Sequence, residues 1–447
     1  MRNKRCTLTV ILLLVFSVEI IQIVGSGGKL MFLGEPTVEV FRGGKQYAFM
    51  LSWDDGGDDL QFSFLEDEIG FQHTTFAVTS NIQRKRLWGL DMLFRGHDIQ
   101  SHSRLHVHHA TINASYCEEL LQQSIVDIEE IYGYTPILFA YPYGSQNAVV
   151  QELVKEYFRI GRGIRYECEE SLGSWPIKRE GNALHSFPSV DGVQGSTIST
   201  LISSFNQMVS HDDGVHRAYK CYGHSKWFNG NERDEFFEAL RRIAFRNDTW
   251  YTSWGEAVAY QITRSNVLIE RHIGADSMVS FVTAIGSNFD YGIPITYRIE
   301  IPTSWNNINV IDGGKTSDRF SVIEGDSKKY LLLDSVPHGQ RIKVIPGIPE
   351  DSSRPVINNL RTIVTEEGVA FMADVVDGGS FICDVKMTIH GNDEVWQFNR
   401  VLNPVFWANS TFGRVIFELE PGCYDLTVTA IDSCGNKASL SRWFNLT

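Results

Sequence analysis

Leu51-Ser52-Trp53-Asp54-Asp55-Gly56-Gly57 brings the apolar run that begins at Tyr47 to an end on two adjacent carboxylates and two glycines. A short apolar run bounded by glycine reads as a buried strand, and the glycines permit the sharp turn that closes it. Asp-Asp-Gly alone is ordinarily only a turn. A second stretch changes that reading. His97-Asp98-Ile99-Gln100-Ser101-His102-Ser103-Arg104-Leu105-His106 again runs out of a strand, into a histidine pair spaced i, i+4. On a helical turn that spacing puts both imidazoles on one side. A lone histidine is more often structural, but this pair follows another strand's end. Two neutral imidazoles and one carboxylate, with positions open to water, make a divalent-metal site suited to hydrolysis. A second carboxylate beside it can accept the water's proton. Asp54 and Asp55 would divide those roles, because a carboxylate bound to a metal is too acidic to serve well as a base.

Outward from these stretches, short apolar runs alternate with helical lengths from about Tyr47 to about Arg264. The further runs are Thr74–Thr79, Ile137–Tyr141, Ala183–Phe187, Ala218–Tyr222 and Trp250–Thr252. Ser115-Tyr116-Cys117-Glu118 reads as a capping box, with Leu121, Ile125, Ile128 and Tyr132 on one face behind it. Val149–Tyr157, Thr197–Val209 and Asp234–Phe245 are also helix-like. Strand alternating with helix implies parallel strands with crossover helices, in a barrel or an open doubly wound sheet. Phe139-Ala140-Tyr141-Pro142-Tyr143-Gly144 and Tyr222-Gly223-His224-Ser225 lie at two more strand ends. In a parallel arrangement all four pieces reach one C-terminal rim, where barrel active sites are built.

On these residues the chain resembles the polysaccharide deacetylase family, carbohydrate esterase family 4, also called the NodB-homology domain. Its first motif, Thr-Phe-Asp-Asp-Gly, is matched by Ser52-Trp53-Asp54-Asp55-Gly56, and its second, His-Ser/Thr-x-x-His, by His102-Ser103-Arg104-Leu105-His106. The resemblance covers roughly residues 45–262 and implies an α/β fold, an irregular (β/α) barrel with fewer strands than eight. It implies that Asp54 is the general base, that Asp55, His102 and His106 hold a divalent metal, commonly zinc, and that His224 is the general acid. It also implies that the backbone N–H of Tyr143 helps hold the oxyanion. Ala140 stands where many deacetylases have an arginine that orients the catalytic aspartate. Arg162 could supply that charge, or lie at the surface. His108 and His109 read as solvated or as support behind the ligands.

After about Ser265 the helical periodicity disappears, and runs such as Met278–Thr283, Ile295–Ile301 and Tyr330–Leu333 are separated by turn formers. Pro346, Gly347, Pro349, Asp351, Ser352, Ser353 and Pro355 crowd breakers into a linker. Beyond it, Tyr424–Ala430 alternates strictly and runs into Asp432-Ser433-Cys434-Gly435-Asn436, a strand and turn that resemble the last hairpin of bacterial immunoglobulin-like modules. The expected organisation is a signal peptide at 1–26, a catalytic domain at 40–264, a β-rich domain at 266–348 and an immunoglobulin-like β-sandwich at 354–447. A chain ending near Arg264 is expected to keep the hydrolytic site.

Of the 447 residues 43% are hydrophobic and 21% charged, which excludes disorder and fibrous repeats. A formal charge of −14 repels phosphate backbones, and no basic patch offsets it, so nucleic acid is excluded as a partner. Arg2, Lys4 and Arg5 before the apolar run Leu8 to Phe16 read as a secretory signal. The rival, an uncut anchor, is cut short by Glu19. Export fits the sequons at Asn113, Asn247, Asn409 and Asn445. Cys117, Cys168 and Cys221 in one half, and Cys383, Cys423 and Cys434 in the other, leave an odd count in each. Together these features point to a secreted or cell-surface hydrolase that removes acetyl groups from an N-acetylated polysaccharide or glycan. The alternatives are hydrolysis of a non-sugar amide, or a carbohydrate-binding or adhesion protein on an inactive barrel.

Overall fold

The computed structural model describes residues 33–56, 62, 68–163, 185–186, 190–191, 196–400 and 411–446, with short gaps at 212–213, 229, 276, 287–290, 326, 391–394 and 398. The signal peptide expected at 1–26, Cys168 and the sequon at Asn409 lie outside the described residues.

Nine strands form one wholly parallel sheet: β1 (Tyr47–Asp55), β2 (His73–Ala77), β3 (Asp98–Ser101), β4 (Leu138–Ala140), β5 (Ile160–Arg162), β6 (His185–Ser186), β7 (Val190–Asp191), β8 (Arg217–Gly223) and β9 (Thr249–Thr252). Their order is β5-β4-β3-β2-β1-β8-β6, with β9 beside β1 and β7 beside β8. β1 pairs with β9 over Tyr47–Met50 and with β2 over Leu51–Asp55, while β8 runs along it over Tyr47–Trp53. This splitting of one strand's partners curls the sheet into an irregular half-barrel wrapped by helices. β1 is buried on both faces, as parallel strands under crossover helices are. Tyr47, Phe49, Leu51 and Trp53 pack on Leu201, Phe205, Phe236 and Leu240 of the flanking helices. The alternate positions Ala48, Met50, Ser52 and Asp54 line the other face.

The helices given whole among the described residues are α1 (Arg86–Phe94), α2 (Ala114–Tyr132), α3 (Ala148–Tyr157), α4 (Ser196–Val209), α5 (Asn231–Ile243) and α6 (Trp254–Asn266). α2 begins earlier than the capping box suggests. Asn113 is its N-cap, accepting from the Tyr116 amide at 2.8 Å, and Ser115 lies inside the helix. The short Asn113 side chain reaches the third helical amide as readily as serine does, so the first available cap ends the preceding loop.

From Val267 onward every strand pair is antiparallel. Residues 267–346, joined by one strand from ahead of the barrel, form two sheets: Val267–Ala275, Met278–Ile285, Arg341–Pro346, Ile308–Asp312 and Lys315–Ser317 in that order, and Thr37–Val38, Ile295–Ile301, Lys329–Ser335 and Phe320–Glu324. A second pair of four-stranded sheets spans Val356 to Leu446 over its own core, which includes Val369, Phe371, Val385, Met387, Leu426 and Val428. Each pair is a β-sandwich. The linker reading holds between Pro346 and Val356, and the alternating strand lies within Gly422–Asp432.

The first sandwich shares a core with the barrel. Trp254, Val258 and Tyr260 of α6 pack with Ile295, Tyr297 and Val344, and Arg42 bridges Glu256 at 2.6 Å and Asp334 at 3.0 Å. The second sandwich meets α1, where Leu87, Leu90 and Phe94 pack on Ala370, Met372 and Val415. A chain cut near Arg264 would therefore expose a large apolar face, a physical objection to its expected independence. Among the described residues Cys117, Cys383, Cys423 and Cys434 are free thiols. Among the described residues no helix is long and apolar enough to cross a membrane.

Candidate active site

Asp54, still on β1, is buried at the C-terminal rim. Asp55 takes a positive φ of 79°, so consecutive carboxylates leave the strand in different directions. Gly56 follows at φ 67°, and a Cβ there would stand 3.1 Å from the Cα of Ala77, so this turn demands glycine.

Oδ1 of Asp55 lies 3.3 Å from His106 Nε2 and 3.7 Å from His102 Nε2, and the three ligand atoms lie within 4.8 Å of one another. That buried oxygen has no hydrogen-bond partner among the described residues. His102 is oriented from behind, its Nδ1 2.8 Å from the carbonyl of Ala140, which leaves Nε2 facing Asp55. A histidine bound to a metal characteristically has such a carbonyl behind it. An unsatisfied carboxylate oxygen facing two imidazole nitrogens fits a divalent cation.

The histidine pair does not sit on a helical turn. Residues 102–106 form an irregular loop in which Ser103 has φ 67°. The Ser103 amide donates to Ser101 Oγ at 3.1 Å, its hydroxyl meets His109 Nε2 at 2.9 Å, and its carbonyl accepts from the Thr79 amide at 3.1 Å. These bonds substitute for helical ones and still bring both rings together, with centroids 4.9 Å apart. His109 is buried behind the ligand loop, and His108 stacks on Tyr143 at 4.1 Å. Tyr143 follows β4 with φ 57°, its ring exposed and edge-on to His106 at 4.3 Å. His224, just past β8, places Nε2 3.7 Å from Asp55 Oδ2.

Arg162 resolves the alternative left open by the sequence. At 2% exposure it is buried, its Nη2 on Asp54 Oδ1 and its guanidinium over Phe76 (4.8 Å) and Tyr222 (4.4 Å). Three strands separate β5 from β1 along the sheet, so the contact exists only because the sheet curls. Lys226, which the sequence reading missed, donates Nζ to Asp55 Oδ2. Its position two residues after His224 was the one available signal.

Burial is the first cause of the histidine shifts. It pushes His102 down to about 4, with Arg162 and His106 adding to it against Asp54. His106 and His224 are likewise held below the usual imidazole range by burial. Burial opposes ionisation of Asp55, but the Lys226 hydrogen bond and the neighbouring His224 and His102 outweigh it and hold the carboxyl low. The site therefore offers an ionised carboxylate and neutral imidazoles near neutrality, the forms a metal requires.

Residues 43–158 match the polysaccharide deacetylase family. The resemblance carried by the two motifs is thus borne out, and it supports a hydrolase of deacetylase type. The matched segment contains Asp54, Asp55, His102, His106 and Tyr143, whereas Arg162 and His224 lie beyond it. None of the curated proteins compared matches the chain. Among solved structures, the peptidoglycan deacetylase PdaC from Bacillus subtilis is 17% identical over 49% of this chain and 92% of its own, with a TM-score of 0.34. A family 4 carbohydrate esterase from Streptomyces lividans is 18% identical over 44% of this chain and 86% of its own, with a TM-score of 0.31. An allantoinase is 15% identical over 50% and 93%, with a TM-score of 0.38.

Proposed function

We propose that this protein is a secreted or cell-surface hydrolase that removes N-acetyl groups from the sugars of a polysaccharide or glycan. The observation that supports it most is the meeting, at one rim, of Asp54 backed by Arg162 with Asp55, His102, His106 and His224. In this reading Asp55, His102 and His106 hold a divalent metal, zinc by its liking for nitrogen and carboxylate donors, which supplies Lewis-acid polarisation of the acetamide carbonyl and a more acidic water.

Asp54 accepts the proton of the attacking water, and Arg162 fixes the direction its carboxylate faces. The Tyr143 amide donates to the oxyanion, a task of the backbone that leaves the exposed ring free to meet the sugar. His224 hands a proton to the departing amine. Burial holds that imidazole below its ordinary range, so the proton it gives the amine is the one released by the attacking water and passed on from Asp54. The non-catalytic alternative rested on the missing arginine of the third motif, a reason that Arg162 weakens. The domain boundaries at 40–264, 266–348 and 354–447, the signal at 1–26 and the immunoglobulin-like character of the last unit belong to the same proposal, with the β half holding the barrel on a polymer or cell surface.

The test is metal analysis of the purified protein followed by acetate release from chitin oligomers, peptidoglycan and a small non-sugar acetamide. Asp54→Asn should keep its metal and lose turnover by on the order of a hundredfold or more. Loss of metal from Asp54→Asn but not from Asp55→Asn would reverse the two roles. Turnover of the non-sugar amide alone would replace the sugar reading.

A further inference from the structure

A second cluster lies far along the chain, where the linker meets the last β-sandwich. Asp351 belongs to the linker, Asp377 follows the strand Gly368–Val376, and Asp432 ends the strand Gly422–Asp432. Oxygens of the three carboxylates lie within 4.8 Å of one another, and Asp377 and Asp432 are 5% and 1% exposed. Like charges this close repel, most of all the buried pair Asp377 and Asp432, which little water can screen.

The groups that reach these carboxylates are neutral. Asp351 Oδ1 accepts from the amide and hydroxyl of Ser353 at 2.9 and 2.7 Å. Asp377 Oδ1 accepts from the amides of Gly379 and Ser380, both at 2.8 Å, and from Ser353 Oγ at 3.2 Å. Asp432 Oδ1 accepts from the amides of Cys434 and Asn436, both at 2.9 Å, and its Oδ2 from Asn436 Nδ2 at 2.9 Å. Lys315 comes near, but its Nζ bonds the backbone carbonyl of Asp377 at 2.6 Å. Among the described residues no lysine or arginine pairs with the three carboxylates.

Each aspartate thus spends Oδ1 on shaping its loop. The remaining oxygens of Asp351 and Asp377 are buried and have no partner among the described residues. A residue outside the acidic set adds an independent sign. Ser380 is 1% exposed, and its hydroxyl, beside the Asp351 carboxylate and the Cys434 thiol, meets no partner in full hydrogen-bond geometry among the described residues. Gly379 makes room for this arrangement, since a Cβ there would come within 2.3 Å of the Asp351 carboxylate.

We propose that Asp351, Asp377 and Asp432, with the Ser380 hydroxyl, form a calcium site at the junction of the two β-sandwiches. Its donors are all oxygen, a set that suits a hard cation and excludes the zinc chemistry of the barrel rim. Calcium tolerates an irregular shell completed by water, whereas magnesium demands a near-octahedral one. The loops that carry the acids are tied to the first sandwich. Thr316 bonds the carbonyl of Gly379 at 2.8 Å and the amide of Phe381 at 3.2 Å, and its carbonyl also accepts from Ser433 Oγ at 3.3 Å. Asn436 Nδ2 holds the carbonyl of Asp351 at 2.9 Å. A cation at this point joins linker, loop and turn, and fixes the angle between the sandwiches.

The test uses the full chain, stripped with chelator and titrated with calcium chloride alone by calorimetry and thermal unfolding. The expected result is one calcium per chain with a Kd of about 10⁻⁴ to 10⁻³ M, the range of extracellular modules, and an unfolding temperature that rises with calcium. Asp377→Asn should weaken binding at least tenfold. Asp351→Asn, on the half-buried linker, should do the same and serves if the buried variant does not fold. Asp55→Asn should leave calcium binding intact, which separates this site from the barrel rim. No uptake by about 10 mM calcium, uptake unchanged in Asp351→Asn, or uptake abolished by Asp55→Asn would each overturn the proposal.

Discussion

Replacing Arg162 with methionine keeps an unbranched apolar stem between Phe76 and Tyr222 while removing the charge that faces Asp54. Asp54 is 5% exposed and Arg162 2%, and no second ion-pair partner for Asp54 exists among the described residues. Breaking such a pair from one side costs about 3–5 kcal/mol, because the remaining charge stays buried without compensation. Loss of the guanidinium stacked on two rings adds ~1 kcal/mol. In the double variant Asp54→Asn/Arg162→Met no buried charge is stranded, so at least half of the loss should return. Urea unfolding of the four proteins, followed by fluorescence of the buried Trp53 and Trp254 in metal-free buffer, measures this coupling. Turnover of the single variant should fall on the order of a hundredfold with KM little changed, the consequence of a misdirected base. Stability losses that add within about 0.5 kcal/mol, or a single variant with wild-type turnover, would refute the argument that Arg162 acts through Asp54.

Acid should destabilise the metal-free protein. Burial holds His102 and His109 at about 4 and His73 well below the ordinary imidazole value. Between about pH 6.5 and 4 the unfolded chain therefore takes up protons the native state refuses, and stability falls as pH falls. Asp98, pushed up to about 7 by burial, acts with the opposite sign over the same window and offsets about one histidine. These four groups give a net slope of up to ~2.7 kcal/mol per pH unit, two groups at 1.36 each, and the lowered His106 and His224 add to it in the same direction. Urea midpoints at a series of pH values check it, and a midpoint that stays flat or rises on acidification contradicts it. A chain ending at Asn266 strips Ile295, Tyr297 and Val344 from the core they share with Trp254 and Tyr260. It should be recovered mainly as aggregate, and a soluble, cooperatively melting product would show the shared core to be dispensable.

The strand Tyr47–Asp55 was legible because a buried parallel strand is continuously apolar, and its end was marked by glycines that this backbone needs. The meeting of Asp55, His102 and His106 was legible too, since parallel strands send their C-terminal ends to one rim regardless of detail. The same holds for the linker before Val356 and the alternating strand ending at Asp432. Local spacing failed where long-range bonds replaced local ones. His102 and His106 converge through a loop held by Ser101, His109 and Thr79, and not through a helical turn. The sequence named Arg162 as one source of the charge beside Asp54 but could not decide between that and a surface arginine, because the pairing depends on curvature accumulated across three intervening strands. Asp351 and Asp432 each read as turn formers, and 81 positions of chain separate them before they meet Asp377. Periodicity and turn chemistry follow from the sterics of a few neighbouring residues, and the sequence states them directly. Which distant side chains share a buried site depends on how sheets curl and crossovers pack, and only the tertiary structure decides that.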